Sequence, residues 1–144
     1  MKPTELRVGN IISLIHEEWG DMPAVITSIN DCGDLCLRCL GETNTDEEYE
    51  CTMNEVYPIP ITKEILLKNG FYDNGKAQFY YPLKDKGRIT IMCATDDYKS
   101  WLVMVDSMRY EKFISTDASN HNAQYVHELQ NVIQMAKVDK EIVL

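Results

Sequence analysis

The chain has 144 residues, 44% of them hydrophobic and 26% charged, and a formal net charge of −9. That length admits one domain or two very small ones, and that balance excludes disorder over most of the chain. The charge is uneven: residues 1–60 hold three basic groups against twelve acidic ones, while residues 61–144 hold eleven of each. A phosphate backbone is repelled by the first part and draws no long-range attraction from the second, which makes nucleic acid a disfavoured partner.

No stretch approaches the ~18 consecutive apolar residues of a membrane span, so no membrane partner is expected. The opening MKPTELRVGN has no apolar run after its first charge and does not read as a signal peptide. Five cysteines in such a chain read as reduced thiols, and the protein as cytoplasmic.

Residues 1–60 read as short strands between polar turns: Leu6 to Ile15 with a bend at Gly9-Asn10, Ala24 to Ile29, Leu35 to Leu40, Tyr49 to Met53 and Val56 to Ile59. His16 to Asp21, Asn30 to Gly33 and the acidic stretch Gly41 to Glu48 are the intervening turns and loop. Five short strands in this space predict a small closed barrel of the SH3-like type, because closure removes edges that a small open sheet cannot hide. Pro58 and Pro60 end the region.

A helix over 63–69 follows, capped by Thr62, with Glu64 and Lys68 suited to its two ends. Gly70 stands where the helix must end, with Phe71 placed to pack back on Leu66. Gln78 to Leu83, Arg88 to Ala94 and Ser100 to Asp106 predict a three-stranded antiparallel meander. Trp101, Val103 and Val105 share one face of its last strand. Residues 108–119 carry no readable pattern. A second helix, capped by Asn120 or Asn122, has the apolar stripe Tyr125, Val126, Leu129, Val132, Ile133 and Ala136. Gln124, His127, Glu128, Asn131 and Gln134 form its polar, solvent-facing side. Ile142-Val143-Leu144 returns as a last strand or tucks against the sheet. The fold class expected is α+β: a barrel-like region over 1–60 and a helix, meander and helix over 61–144.

Three segments carry a resemblance. Leu6-Arg7-Val8-Gly9-Asn10, the run Ile59 to Phe71 (IPITKEILLKNGF), and Tyr125-Val126-His127-Glu128-Leu129-Gln130-Asn131 occur in that order. Together they resemble a group of small uncharacterised proteins of Bacteroidetes genomes and their phages or prophages. The resemblance spans nearly the whole chain and implies one integrated unit of prokaryotic or phage origin, with no activity attached. This chain departs from the group's pattern at Lys137-Val138-Asp139, where a Thr-Gly turn is usual.

Several residue patterns invite chemistry. Cys32-x3-Cys36-x2-Cys39 has the spacing of radical S-adenosylmethionine enzymes, but Arg38 stands where an aromatic residue is usual and the chain is too short for their barrel. The same cysteines with Cys51 or His16 could make a tetrahedral zinc site. Against it, strand alternation points Cys36 and Cys39 to opposite faces, and free cysteine is among the most buried residue types. His127-Glu128 begins like a helical zinc-protease motif, but Asn131 stands where the second histidine is required. Phosphate-cradling, dinucleotide and serine-nucleophile motifs are absent from the sequence, so no cofactor is expected. Lys84, Lys86 and Arg88 beside Phe79, Tyr80 and Tyr81 form the one basic–aromatic neighbourhood, the pattern of single-strand binders, interrupted by Asp85. Trp19, in the first polar turn, marks a candidate interaction surface, as do His127 and Asn131 on the second helix. The reading these observations support is a non-enzymatic interaction module whose partner is another protein.

A segment of about 60 residues alone buries only about 60% of its unfolded surface and is marginal. Calorimetry is therefore expected to give a single cooperative unfolding transition. Two separated peaks would contradict this.

Overall fold

The computed structural model describes residues 3–16, 20–41, 47–84, 87–94, 100–106 and 123–144. The chain divides into two compact units, Met1–Ile59 and Pro60–Leu144. The described residues form an α+β protein with two antiparallel sheets.

The first unit opens with a 3-10 turn, Pro3–Glu5, and then a second turn where a strand was expected from Leu6. Asn10 is the reason: its Oδ1 accepts the Arg7 N–H at 2.9 Å, and its own N–H donates to the Arg7 carbonyl at 3.0 Å. Such local bonds compete with a strand ladder, and Gly9 supplies the φ of +89° that the turn needs. Strand β1 (Ile11–His16) starts only after this turn, and β2 (Gly20–Ile29), β3 (Leu35–Cys39), β4 (Glu48–Cys51) and β5 (Val56–Tyr57) follow. Asn30 Oδ1 organises the β2–β3 turn by accepting the N–H groups of Cys32 and Asp34, each at 2.9 Å.

The sheet order is β4-β3-β2-β1-β5. Ile12, Leu14, Ala24, Ile26, Leu35, Leu37, Cys39, Cys51 and Val56 point to one face and, with Leu6, make the core of this unit. The expected closed barrel is not formed. Among the described residues β4 pairs with β3 and β5 with β1, so the sheet keeps both edges. The edges are short, four and two residues. On β4, Glu48 and Glu50 are exposed while Tyr49 and Cys51 turn inward, an arrangement that discourages a further strand.

In the second unit, α1 (Lys63–Lys68) begins at Thr62, whose Oγ1 accepts the Ile65 N–H at 3.3 Å. It ends in a Schellman motif: Gly70 N–H reaches Leu67 O at 2.9 Å and Phe71 N–H reaches Leu66 O at 3.1 Å. Gly70 takes a φ of +76°. The sheet that follows has four strands rather than the expected three: β6 (Tyr72–Asp73), β7 (Gln78–Pro82), β8 (Arg88–Cys93) and β9 (Trp101–Asp106), in that order. Phe79, Ile89, Ile91, Trp101, Val103 and Val105 fill its inner face.

Isolated bridges extend the sheet beyond β9. Trp101 N–H donates to Ala123 O and Ile61 N–H to Gln124 O, both at 2.9 Å, and Pro60 bridges Tyr125. Because residues 123–125 are used as strand, α2 (Val126–Met135) starts later than expected. Its N-cap is Tyr125; Asn120 and Asn122 lie outside the described residues. The Glu128 carboxylate satisfies the helix entrance by accepting the N–H groups of Gln124 at 2.6 Å and Tyr125 at 3.1 Å. Val126, Leu129 and Ile133 are buried, and α2 packs on β9.

Helix α2 also ends in a Schellman motif, with Lys137 N–H on Gln134 O at 3.0 Å and Val138 N–H on Ile133 O at 3.2 Å. Here Lys137, not glycine, takes the left-handed position, at φ +54°. The helix end is therefore built on a residue that resists the left-handed conformation.

These two helix ends set opposite expectations. A Cβ at Gly70 would lie 3.7 Å from Tyr81 Cε2, an ordinary contact, so the cost of Gly70→Ala is conformational. Gly70→Ala should destabilise by about 1 kcal/mol and Lys137→Gly should stabilise by about 1 kcal/mol. Denaturant midpoints moving in the same direction for both would contradict the assignment.

Candidate functional site

Chain reversal after α1 creates a cleft of ligand size. Asp73-Asn74-Gly75-Lys76-Ala77 turns β6 into β7 through side-chain bonds: Asp73 Oδ1 accepts the Gly75 N–H at 2.8 Å and Asn74 Oδ1 the Lys76 N–H at 3.0 Å. Gly75 and Ala77 both take positive φ, +77° and +51°. For Ala77 this conformation costs roughly 1 kcal/mol, and strained backbone of this kind clusters at binding sites. Between this turn and the start of α1 lies a cleft of about 460 Å³.

Phe79 and Trp101 make its floor, ring edge against ring face with centroids 5.8 Å apart. Ile61 and Ala77 line its walls, and Lys63, Glu64 and Asp73 its rim. The rim is internally matched. Lys63 Nζ lies 2.6 Å from Asp73 Oδ2, and this bond, with the Gly75 N–H, holds the Asp73 carboxyl below its usual range. Glu64 is likewise lowered, by its own backbone N–H and by Thr62. A cleft of this size with an apolar floor and a few fixed polar groups has the general character of a ligand site.

The outer face of the same hairpin carries a second feature. Tyr72 and Tyr80 are opposed across β6 and β7 and stack at 5.2 Å with an interplanar angle of 25°. They are 56% and 39% exposed, at the edge of the sheet. Sequence reasoning missed this pair because it missed β6. The signal was Asn74-Gly75, a hairpin dipeptide with Tyr72-Asp73 on one side and Gln78-Phe79 on the other.

Of the residues read from sequence, Trp19, Asp85, Lys86 and residues 108–119 lie outside the described residues. His127, expected on the solvent face of α2, is 1% exposed, with its ring parallel to that of Tyr125 at 5.9 Å. Its position immediately after the apolar Val126, at the first turn of the helix, is set by the strand pairing of 123–125 rather than by the stripe. Asn131 is half-buried. Of the three aromatic residues near the basic cluster, Phe79 is buried and Tyr81 half-buried against Phe71, at 5.5 Å, so only Tyr80 is offered to solvent.

All five cysteines are free. Cys36 and Cys39 do point to opposite sides of β3, the latter inward. Among the described residues no group of three or more His, Cys, Asp or Glu side chains is placed to hold a metal ion, and no helix is long and apolar enough to cross a membrane. Burial pushes the Cys39 thiol up, and burial with the nearby Glu55 pushes Cys51 up to about 11. No family model, curated protein or solved structure matches the chain.

The thiolate is the reacting species, so alkylation at neutral pH should modify exposed Cys32 first in the native protein. Cys39 and Cys51 should react only on unfolding, as followed by peptide mass spectrometry. Native-state labelling of Cys51 at the rate of Cys32 would contradict the inward placement.

Proposed function

We propose that this protein is a non-enzymatic interaction module, an accessory or adaptor that takes an extended segment of another protein at the β6 edge. The observation that carries this reading is the exposed, stacked Tyr72–Tyr80 pair on one face of that edge, with the aromatic-floored cleft on the other. A peptide laid beside β6 directs alternate side chains to the two faces, the logic of strand addition. Because β6 has only two residues, main-chain bonds contribute about 1 kcal/mol each to a short ladder. The tyrosines therefore supply most of the affinity, as rigid aromatic anchors do at protein interfaces.

The first unit is read as a partly open SH3-like barrel. Its strand order β4-β3-β2-β1-β5 and its one-sided apolar core support this, since a single sheet with one buried face, and no α-helix among the described residues of the unit, covers that face by curling over it. On this reading Trp19, between β1 and β2, marks a second contact surface, by analogy of fold alone. A cytoplasmic setting and a phage or mobile-element origin complete the proposal; they rest on the sequence resemblance and the free thiols.

Peptide-library selection on the immobilised protein tests the reading. Selected peptides should lose on the order of 30-fold in affinity for Tyr72→Ala or Tyr80→Ala. Peptides that bind both variants as tightly as the parent would place the surface elsewhere.

A further inference from the structure

The segment after α2 is fastened in an unusual way. Residues 138–144 form neither strand nor helix, yet Ile142 is 2% exposed and the segment is held along its length by side chains of other elements. The Asn69 side chain, itself buried, acts as a fork on the Val143 backbone: its Oδ1 accepts the Val143 N–H at 2.8 Å and its Nδ2 donates to Val143 O at 2.6 Å. The same Nδ2 donates to Ile65 O at 2.8 Å, which fixes the fork on the last turn of α1. Lys68 Nζ donates to Leu144 O, and Lys140 Nζ lies 4.8 Å over the ring of Tyr81.

We infer that the seat formed by Lys68 of α1, its cap Asn69 and Tyr81 of β7 is a site for the strap 138–144, and that it accepts the strap of a second copy of this chain in exchange for its own. The fork reads backbone atoms and is indifferent to which chain supplies them. Sequence selection comes from the buried Ile142 and from Lys140 over Tyr81, and a second copy meets both demands by identity. Exchange of an identical element keeps every strap contact and changes only the hinge.

The hinge favours the exchange. In the closed form the chain turns into the strap through Lys137 at φ +54°, a conformation that glycine takes freely and lysine does not. An extended hinge releases that constraint. Seven strap residues, fully extended, reach about 24 Å, enough to cross to a neighbouring molecule. This inference does not depend on the β6 surface proposed above.

The full chain serves for the test, with a fluorescein-labelled peptide of residues 137–144 as probe and light scattering after size-exclusion chromatography as second readout. The parent chain should capture the peptide and show a dimer fraction that rises with concentration. Lys137→Gly should lower peptide capture by about fivefold and the dimerisation constant, which includes two hinges, by about 25-fold, since relieving the left-handed constraint favours the closed form. Asn69→Ala should abolish peptide capture; if that variant fails to fold, Lys140→Ala, which removes only the contact over Tyr81, should weaken capture instead. A chain that remains monomeric and captures no peptide at millimolar concentration overturns the inference. So does a dimer that forms equally in the parent and Lys137→Gly chains, because its interface would then lie elsewhere.

Discussion

A buried indole must find an acceptor for its N–H, and in the second unit that demand organises three separate pieces of chain. Trp101 is 1% exposed, and its Nε1–H donates to Ile61 O at 3.3 Å. Its backbone N–H is simultaneously tied to Ala123. The lead-in to α1, the last strand of the sheet and the lead-in to α2 therefore meet around one side chain. An unsatisfied N–H at this depth would cost about 1–3 kcal/mol, so the register of all three pieces is coupled. The cleft floor is a by-product of this arrangement: Phe79 packs against the ring that the hydrogen bond holds in place.

The coupling explains which elements were legible in the sequence. Strands β7, β8 and β9 were readable because one of their faces is buried and alternation at period two survives in Phe79, Ile89, Ile91, Val103 and Val105. Helix α1 was readable because both its ends are written locally, in Thr62 and Gly70. The start of α2 was not, because it is set by Ala123 and Gln124 pairing with residues distant in sequence; a propensity argument has no access to that. His127 was misassigned for the same reason. Its position on the helical wheel is polar by composition, yet its environment is decided by what packs on the first turn.

The site was less legible than the fold. A two-residue strand carries no periodicity, so β6 and the tyrosine pair it creates were invisible except through Asn74-Gly75. Alternation also separated what the sequence placed side by side: Phe79-Tyr80-Tyr81 looks like one aromatic surface and is divided between the two faces of the sheet. The cysteine cluster dissolves by the same rule, since Cys36 and Cys39 share a strand and not a face. In each case adjacency in sequence was a poor guide because a strand turns neighbours away from each other.

The open edge at β4 carries a consequence of its own. Among the described residues no strand pairs with its outer side, which carries Glu48 and Glu50, two exposed carboxylates along a four-residue strand. Two copies approaching edge to edge bring these like charges into opposition. The sequence isoelectric point is about 4.7. That value lies well below neutrality, so in neutral solution pairing of two copies along this strand is opposed twice, by the local pair of carboxylates and by the net negative charge of the whole molecule.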